Sequence, residues 1–127
     1  MFFSIDPSNG VPIYEQIVRQ VKFAVAEGVL VGGQMVPSVR QLSNELAINP
    51  NTIARAYLQL QEDKVLEPLR GRGVVVRADA TALCHKARHS ILAGRLGEVL
   101  RESLRAGLSV DDVRELFEQQ LTLASAT

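Results

Sequence analysis

Two helix starts lie too close together in residues 37–60, PSVRQLSNELAINPNTIARAYLQL, for one long helix, and this constrains the chain more than any other feature. Ser38, followed three residues later by Gln41, has capping-box spacing, in which the hydroxyl takes an orphan amide and the glutamine reaches back to the cap. Val39, Leu42, Ser43 and Leu46 then recur at helical spacing on one face. A second start follows at once. Asn49 suits an N-cap and Pro50 the first helical position, where its missing amide and fixed φ do no harm. Ile53, Ala56, Tyr57 and Leu60 continue as an apolar stripe. Ala47-Ile48-Asn49 fits the short connector of two helices packed at a steep angle, a helix-turn-helix.

If that stripe faces inward, about 100° per residue puts Asn51, Thr52, Arg55, Leu58 and Gln59 on the opposite face. Amide and guanidinium groups near a helix N-terminus are the types that read base edges in a major groove. A polar outer face also suits plain solvation, so the helices alone leave DNA reading and a wetted surface both open. Residues 65–77, VLEPLRGRGVVVR, supply the outside support. They read as two strands around Arg70-Gly71-Arg72-Gly73, with glycines for the tight turn and Val74-Val75-Val76 for the second strand. Arginines at such a tip can meet phosphates or enter the minor groove.

Taken together, Val36-Pro37-Ser38-Val39-Arg40-Gln41-Leu42, Asn49-Pro50-Asn51-Thr52-Ile53-Ala54-Arg55-Ala56-Tyr57 and Arg70-Gly71-Arg72-Gly73-Val74-Val75-Val76 resemble the signature of the GntR family of winged helix-turn-helix transcription regulators. Phe3-Ser4-Ile5-Asp6, Pro12-Ile13-Tyr14-Glu15-Gln16-Ile17, the NPNT wording and the short tail are similar to its YtrA-type branch. The resemblance covers residues 3–77. It implies a double-stranded DNA operator as partner, with Ser38, Arg40, Asn49, Asn51, Thr52, Arg55, Arg70, Gly71, Arg72 and Gly73 at the interface. Two departures stand out: Val36 replaces the pattern's leucine, and Glu62-Asp63-Lys64 replaces the Glu-Gly pair that leads into the wing. The wing is expected to survive both.

The fold expected is mainly α with a small β-wing: a three-helix winged helix-turn-helix domain over residues 1–77, then a short two-helix dimerisation tail over 78–127. Phe2, Phe3 and Ile5 before Asp6-Pro7-Ser8-Asn9-Gly10 read as a short strand and turn. From Pro12 a helix carries Ile13, Ile17, Val21 and Ala24, flanked by Tyr14, Val18 and Val25, and stops near Gly28. Gln34-Met35-Val36 is expected to pair as a third short strand. In the tail, Leu83, Ala87, Ile91, Leu92, Leu96, Val99, Leu100, Ser103 and Leu104 keep helical spacing, interrupted by Gly94 and Gly97, where a bend or a close neighbour is expected. Ser109 with Asp112 opens a last helix bearing Val110, Val113, Leu116, Phe117 and Leu121. Two such helices have little to bury alone, so pairing with a second copy through Leu92, Leu96, Val99, Leu100, Phe117 and Leu121 is the expected outlet.

Composition bears on what the chain does mainly by exclusion. No apolar run reaches the roughly 18 residues of a membrane span, the first residues lack a signal-peptide pattern, and one cysteine fits a reducing compartment, so a cytoplasmic location is expected. Net charge is zero, yet residues 33–77 hold six cations, Arg40, Arg55, Lys64, Arg70, Arg72 and Arg77, against four anions. The basic footprint is local. His85 and His89 share a helix face, but Cys84 diverges and no carboxylate completes a set, so surface histidines are expected and no metal or other cofactor is assigned. Neither a phosphate loop nor a nucleophile with its base is present, which argues against an enzyme. The reading is a DNA-binding regulator, most simply a repressor on a palindromic operator as a homodimer, with no effector ligand identifiable. The alternative is a winged-helix adaptor that binds protein and not DNA.

Overall fold

The computed structural model describes residues 3–126 and contains five helices and one two-stranded sheet among them. Helix α1, Ile13–Glu27, stops at Gly28, which turns left-handed and directs its amide back to the last helical turn. Helix α2, Val39–Leu46, starts where Ser38 Oγ accepts the Gln41 amide at 3.0 Å. No return bond from the Gln41 side chain accompanies it, so the expected capping box is a simple cap, with Gln41 left in solvent. Ala47 takes a left-handed φ of 54° in the connector, and Ser43 Oγ donates to the Ile48 carbonyl at 2.5 Å, tying the turn to α2. Helix α3, Pro50–Glu62, follows with the Asn49 side chain accepting the Asn51 amide at 2.8 Å. Its stripe of Ile53, Ala56, Tyr57 and Leu60 is buried as the periodicity requires.

Strands β1, Leu66–Leu69, and β2, Gly73–Val76, pair antiparallel with Leu66 opposite Val76 and Leu69 opposite Gly73. The wing therefore forms without the missing glycine, because Lys64 itself adopts the left-handed φ of 63°. Gly73 has a φ of 109°, a left-handed conformation that favours glycine, and a Cβ there would displace the flexible end of Met35, whose Cε lies 3.0 Å from that position.

Two expected strands are absent. Residues 34–36 form only an isolated bridge, Met35 to Val75, with Val36 N bonded to the Val74 carbonyl at 3.0 Å and Val76 N to that of Gln34 at 2.9 Å. Glycines on one side and Pro37 on the other leave no length for more. Of the expected N-terminal strand, Phe2 lies outside the described residues, and residues 3–5 are not in strand conformation. Side chains of α1 hold the arm: Gln20 exchanges two bonds with the Ser4 backbone, and buried Gln16 accepts from Asp6 N and donates to the carbonyls of Asp6 and Val11 and to Asn9 Oδ1. The arm is stitched to a helix instead of a sheet.

One compact unit reaches His89 and a second starts at Ser90. The first has a core built on Ile17, Val21, Val25, Leu42, Ile53, Leu60, Leu66 and Val76. Helix α4, Ala80–Arg105, begins within it, since Ala80 and Cys84 are completely buried there. By packing, this unit extends past the Arg77–Ala78 boundary drawn from composition. Gly94 and Gly97 do not interrupt α4: nothing approaches the Cβ position of Gly94, and only the helix's own Arg101 approaches that of Gly97. In the second unit Ser109 and Asp112 form a complete capping box at 3.0 Å in each direction and start α5, Val110–Ser125. No helix among the described residues is long and apolar enough to cross a membrane.

Candidate nucleic-acid interface

Burying one stripe of α3 exposes Asn51, Arg55 and Leu58 and leaves Thr52 and Gln59 half-exposed. The helix carrying them is fixed from two sides. Tyr57 Oη donates to the Pro37 carbonyl at 2.7 Å, joining α3 to the segment that leads into α2. Burial, helped by Glu45, raises the Tyr57 pKa, so the phenol stays neutral and keeps donating. At the far end Asp63 receives Lys22 Nζ of α1 at 2.8 Å and Gln59 Nε2 at 3.0 Å. Ser38 and Asn49 sit at the two helix starts, where their side-chain oxygens are already used as caps.

The wing brings Arg70, Gly71, Arg72 and Gly73 to an exposed turn, closed by the Arg72 amide on the Leu69 carbonyl at 2.9 Å. Up to Arg77, the described cations divide into two sets. Arg19, Lys22 and Arg77 have acidic partners at 2.8 to 3.9 Å, whereas Arg40, Arg55, Lys64, Arg70 and Arg72 carry no ion pair among the described residues. Cations left unneutralised on α2, α3 and the wing suit a polyanion, since phosphates can replace released counterions there. Arg55 is held in another way. Its Cζ lies 3.8 Å from the centroid of the Tyr14 ring on α1. Tyr14 was legible in sequence only as a flank of the apolar edge of α1, because its place beneath Arg55 depends on how α1 and α3 pack.

Cys84 is buried, its thiol pKa raised by desolvation, while His85 contacts the Ala26 carbonyl through Nε2 at 2.6 Å. Among the described residues no three His, Cys, Asp or Glu side chains are grouped to hold a metal.

Residues 13–76, which hold every side chain of this interface, match the family of bacterial regulatory proteins called the gntR family. The chain belongs to the GntR family. It is 31% identical over 115 residues to the HTH-type transcriptional repressor YtrA of Bacillus subtilis, covering 91% of this chain and 88% of that protein. Among solved structures it is similar to a transcriptional antiterminator from Listeria monocytogenes EGD-e, at 27% identity and a TM-score of 0.70 over 94% of this chain and 90% of that one. YtrA from Sulfolobus acidocaldarius, 24% identical with a TM-score of 0.58 over 96% of this chain and 98% of that one, shares the fold. GntR proteins are DNA-binding regulators of transcription and not enzymes, and the mainly helical winged architecture of this member agrees with that.

Proposed function

We propose that this GntR protein is a repressor that binds a palindromic operator as a homodimer. The observation that carries the reading is the set of exposed, unpaired arginines on α2, α3 and the wing tip, beside Asn51 and Thr52 at the N-terminal end of α3. In this reading Arg55, Asn51 and Thr52 contact base edges or the phosphates beside them. Arg40, Arg70 and Arg72 hold the backbone, with Gly71 and Gly73 shaping the tip, and Ser38 and Asn49 present helix starts to phosphates.

The homodimer rests on the second unit. Leu92, Leu96, Val99, Phe117 and Leu121 are exposed, with Leu100 half-buried beside them. Leu96, Leu100, Leu104, Val110, Val113 and Phe117 line a groove of about 670 Å³ between α4 and α5, and the open Cβ position at Gly94 leaves room for a second backbone. An isolated winged unit binding through a handful of phosphate contacts is expected near the non-specific range of about 10⁻⁴ to 10⁻⁶ M, whereas two linked units gain through effective concentration. YtrA of Bacillus subtilis, a relative named as a repressor, supports repression as the direction of regulation.

Selection of binding sites from a random DNA pool tests the proposal. Inverted half-sites about one helical turn apart are expected. On the selected site Arg55→Ala is expected to weaken binding by about 1–3 kcal/mol and relax sequence preference, whereas Arg72→Ala weakens all sequences alike and flattens the salt slope by about one unit. Selection of unpaired half-sites, or equal losses on selected and scrambled DNA for Arg55→Ala, sinks the corresponding part.

A further inference from the structure

We infer that Tyr14 is a specificity-positioning residue: its ring holds the Arg55 guanidinium as a preset plane for contact with DNA, a role that rests on Arg55 facing DNA as proposed above. Arg55 stands on the outer face of α3, while Tyr14 comes from the first turn of α1, a packed neighbour of α3. Tyr14 is half-buried against the core, so the ring is a fixed platform. The Arg55 Cζ lies 3.8 Å from its centroid.

A Cζ only 3.8 Å from the centroid fits a guanidinium lying flat on the ring, which engages its face. The five N–H donors lie in its plane and remain available. Among the described residues no hydrogen bond or ion pair engages them, and Glu15, the acid next to the ring in sequence, is taken by Arg19 at 3.3 Å. An arginine restrained in this way keeps its charge and donor fork while losing much of the rotamer freedom it would otherwise surrender on binding. The Tyr14 hydroxyl makes no hydrogen bond among the described residues, so the face of the ring is the working part, and phenylalanine is expected to replace it.

The test uses the full chain and the site that the wild type selects from random DNA. Tyr14→Leu and Tyr14→Met keep apolar bulk and remove the ring; either one serves if the other unfolds. Each is expected to weaken the selected site by about 2- to 30-fold, with little change on scrambled DNA. Tyr14→Phe is expected to bind as the wild type does. In an Arg55→Ala background Tyr14→Leu is expected to add no further loss, the signature of two residues acting as one unit.

A purely structural ring instead lowers the thermal midpoint, weakens both DNAs equally and adds to Arg55→Ala, and that pattern overturns the role. Tighter binding by Tyr14→Leu overturns it too, because the ring would then be sequestering Arg55. If Arg55→Ala weakens selected and scrambled DNA equally, the assignment of Arg55 fails and the role of Tyr14 with it, a result distinct from additive losses at two DNA-facing residues.

Discussion

Lys64 occupies a left-handed backbone position at the entrance to the wing, where its Cβ crowds the neighbouring carbonyl. Glycine relieves that crowding, so Lys64→Gly is expected to stabilise the protein by about 1 kcal/mol, less the extra chain entropy that glycine brings to the unfolded state. Chemical denaturation checks this, and an unchanged or lower midpoint refutes it. Two buried acids set the alkaline limit. Burial raises the pKa of Cys84 above its ordinary 9.0 and, with Glu45, that of Tyr57 above 10.0. Folding therefore favours the protonated forms. The stability they contribute is fully present below those ordinary values and is lost as pH rises through them toward the raised ones. Denaturation midpoints are expected to fall from about pH 9 upward, and Cys84→Ala is expected to remove the earlier part of the fall. A flat profile to pH 11 contradicts the burial argument.

At the scale of elements, the helices of the winged unit each bury their apolar stripe within the chain, whereas the distal part of α4 and α5 leaves much of its stripe in water. Leu96 is 46% exposed and Phe117 40%, in a unit whose buried apolar residue is Val113. Exposed apolar area on this scale marks an association surface. Leu96→Asp and Phe117→Asp are accordingly expected to shift the protein from dimer to monomer while leaving the winged unit folded. Sedimentation combined with circular dichroism checks both at once. A wild type that sediments as a monomer at micromolar concentration ends the dimer reading.

Across the whole molecule, compactness and function divide the chain at different places. The motif-bearing residues end at Val76, yet the packed unit runs on to His89 because Ala80 and Cys84 complete its core and His85 reaches the Ala26 carbonyl. A chain cut after Arg77 is expected to be markedly less stable than one cut after His89, by about 2–4 kcal/mol for the lost buried side chains. The longer piece is expected to fold as a monomer with most operator affinity gone. Equal melting curves for the two pieces contradict the packing, and undiminished operator affinity contradicts the need for a tail.

What the sequence determined alone was whatever rests on short-range chemistry. Ser38, Asn49 and Pro50 start their helices, Gly28 stops one, the stripe of Ile53, Ala56, Tyr57 and Leu60 fixes the outward face of α3, and Arg70 to Gly73 turn the wing. Caps, periodicity and turns act over a few residues, so they can be read from a few residues. Tertiary structure decided the rest. Gln16 and Gln20 of α1 clasped the arm at Ser4 and Asp6, which local propensity had marked as a strand and a turn. Arg55 came to rest on Tyr14, a residue far away in sequence, because α1 and α3 share a core. Those outcomes depend on which surfaces meet, and only the folded chain brings the surfaces together.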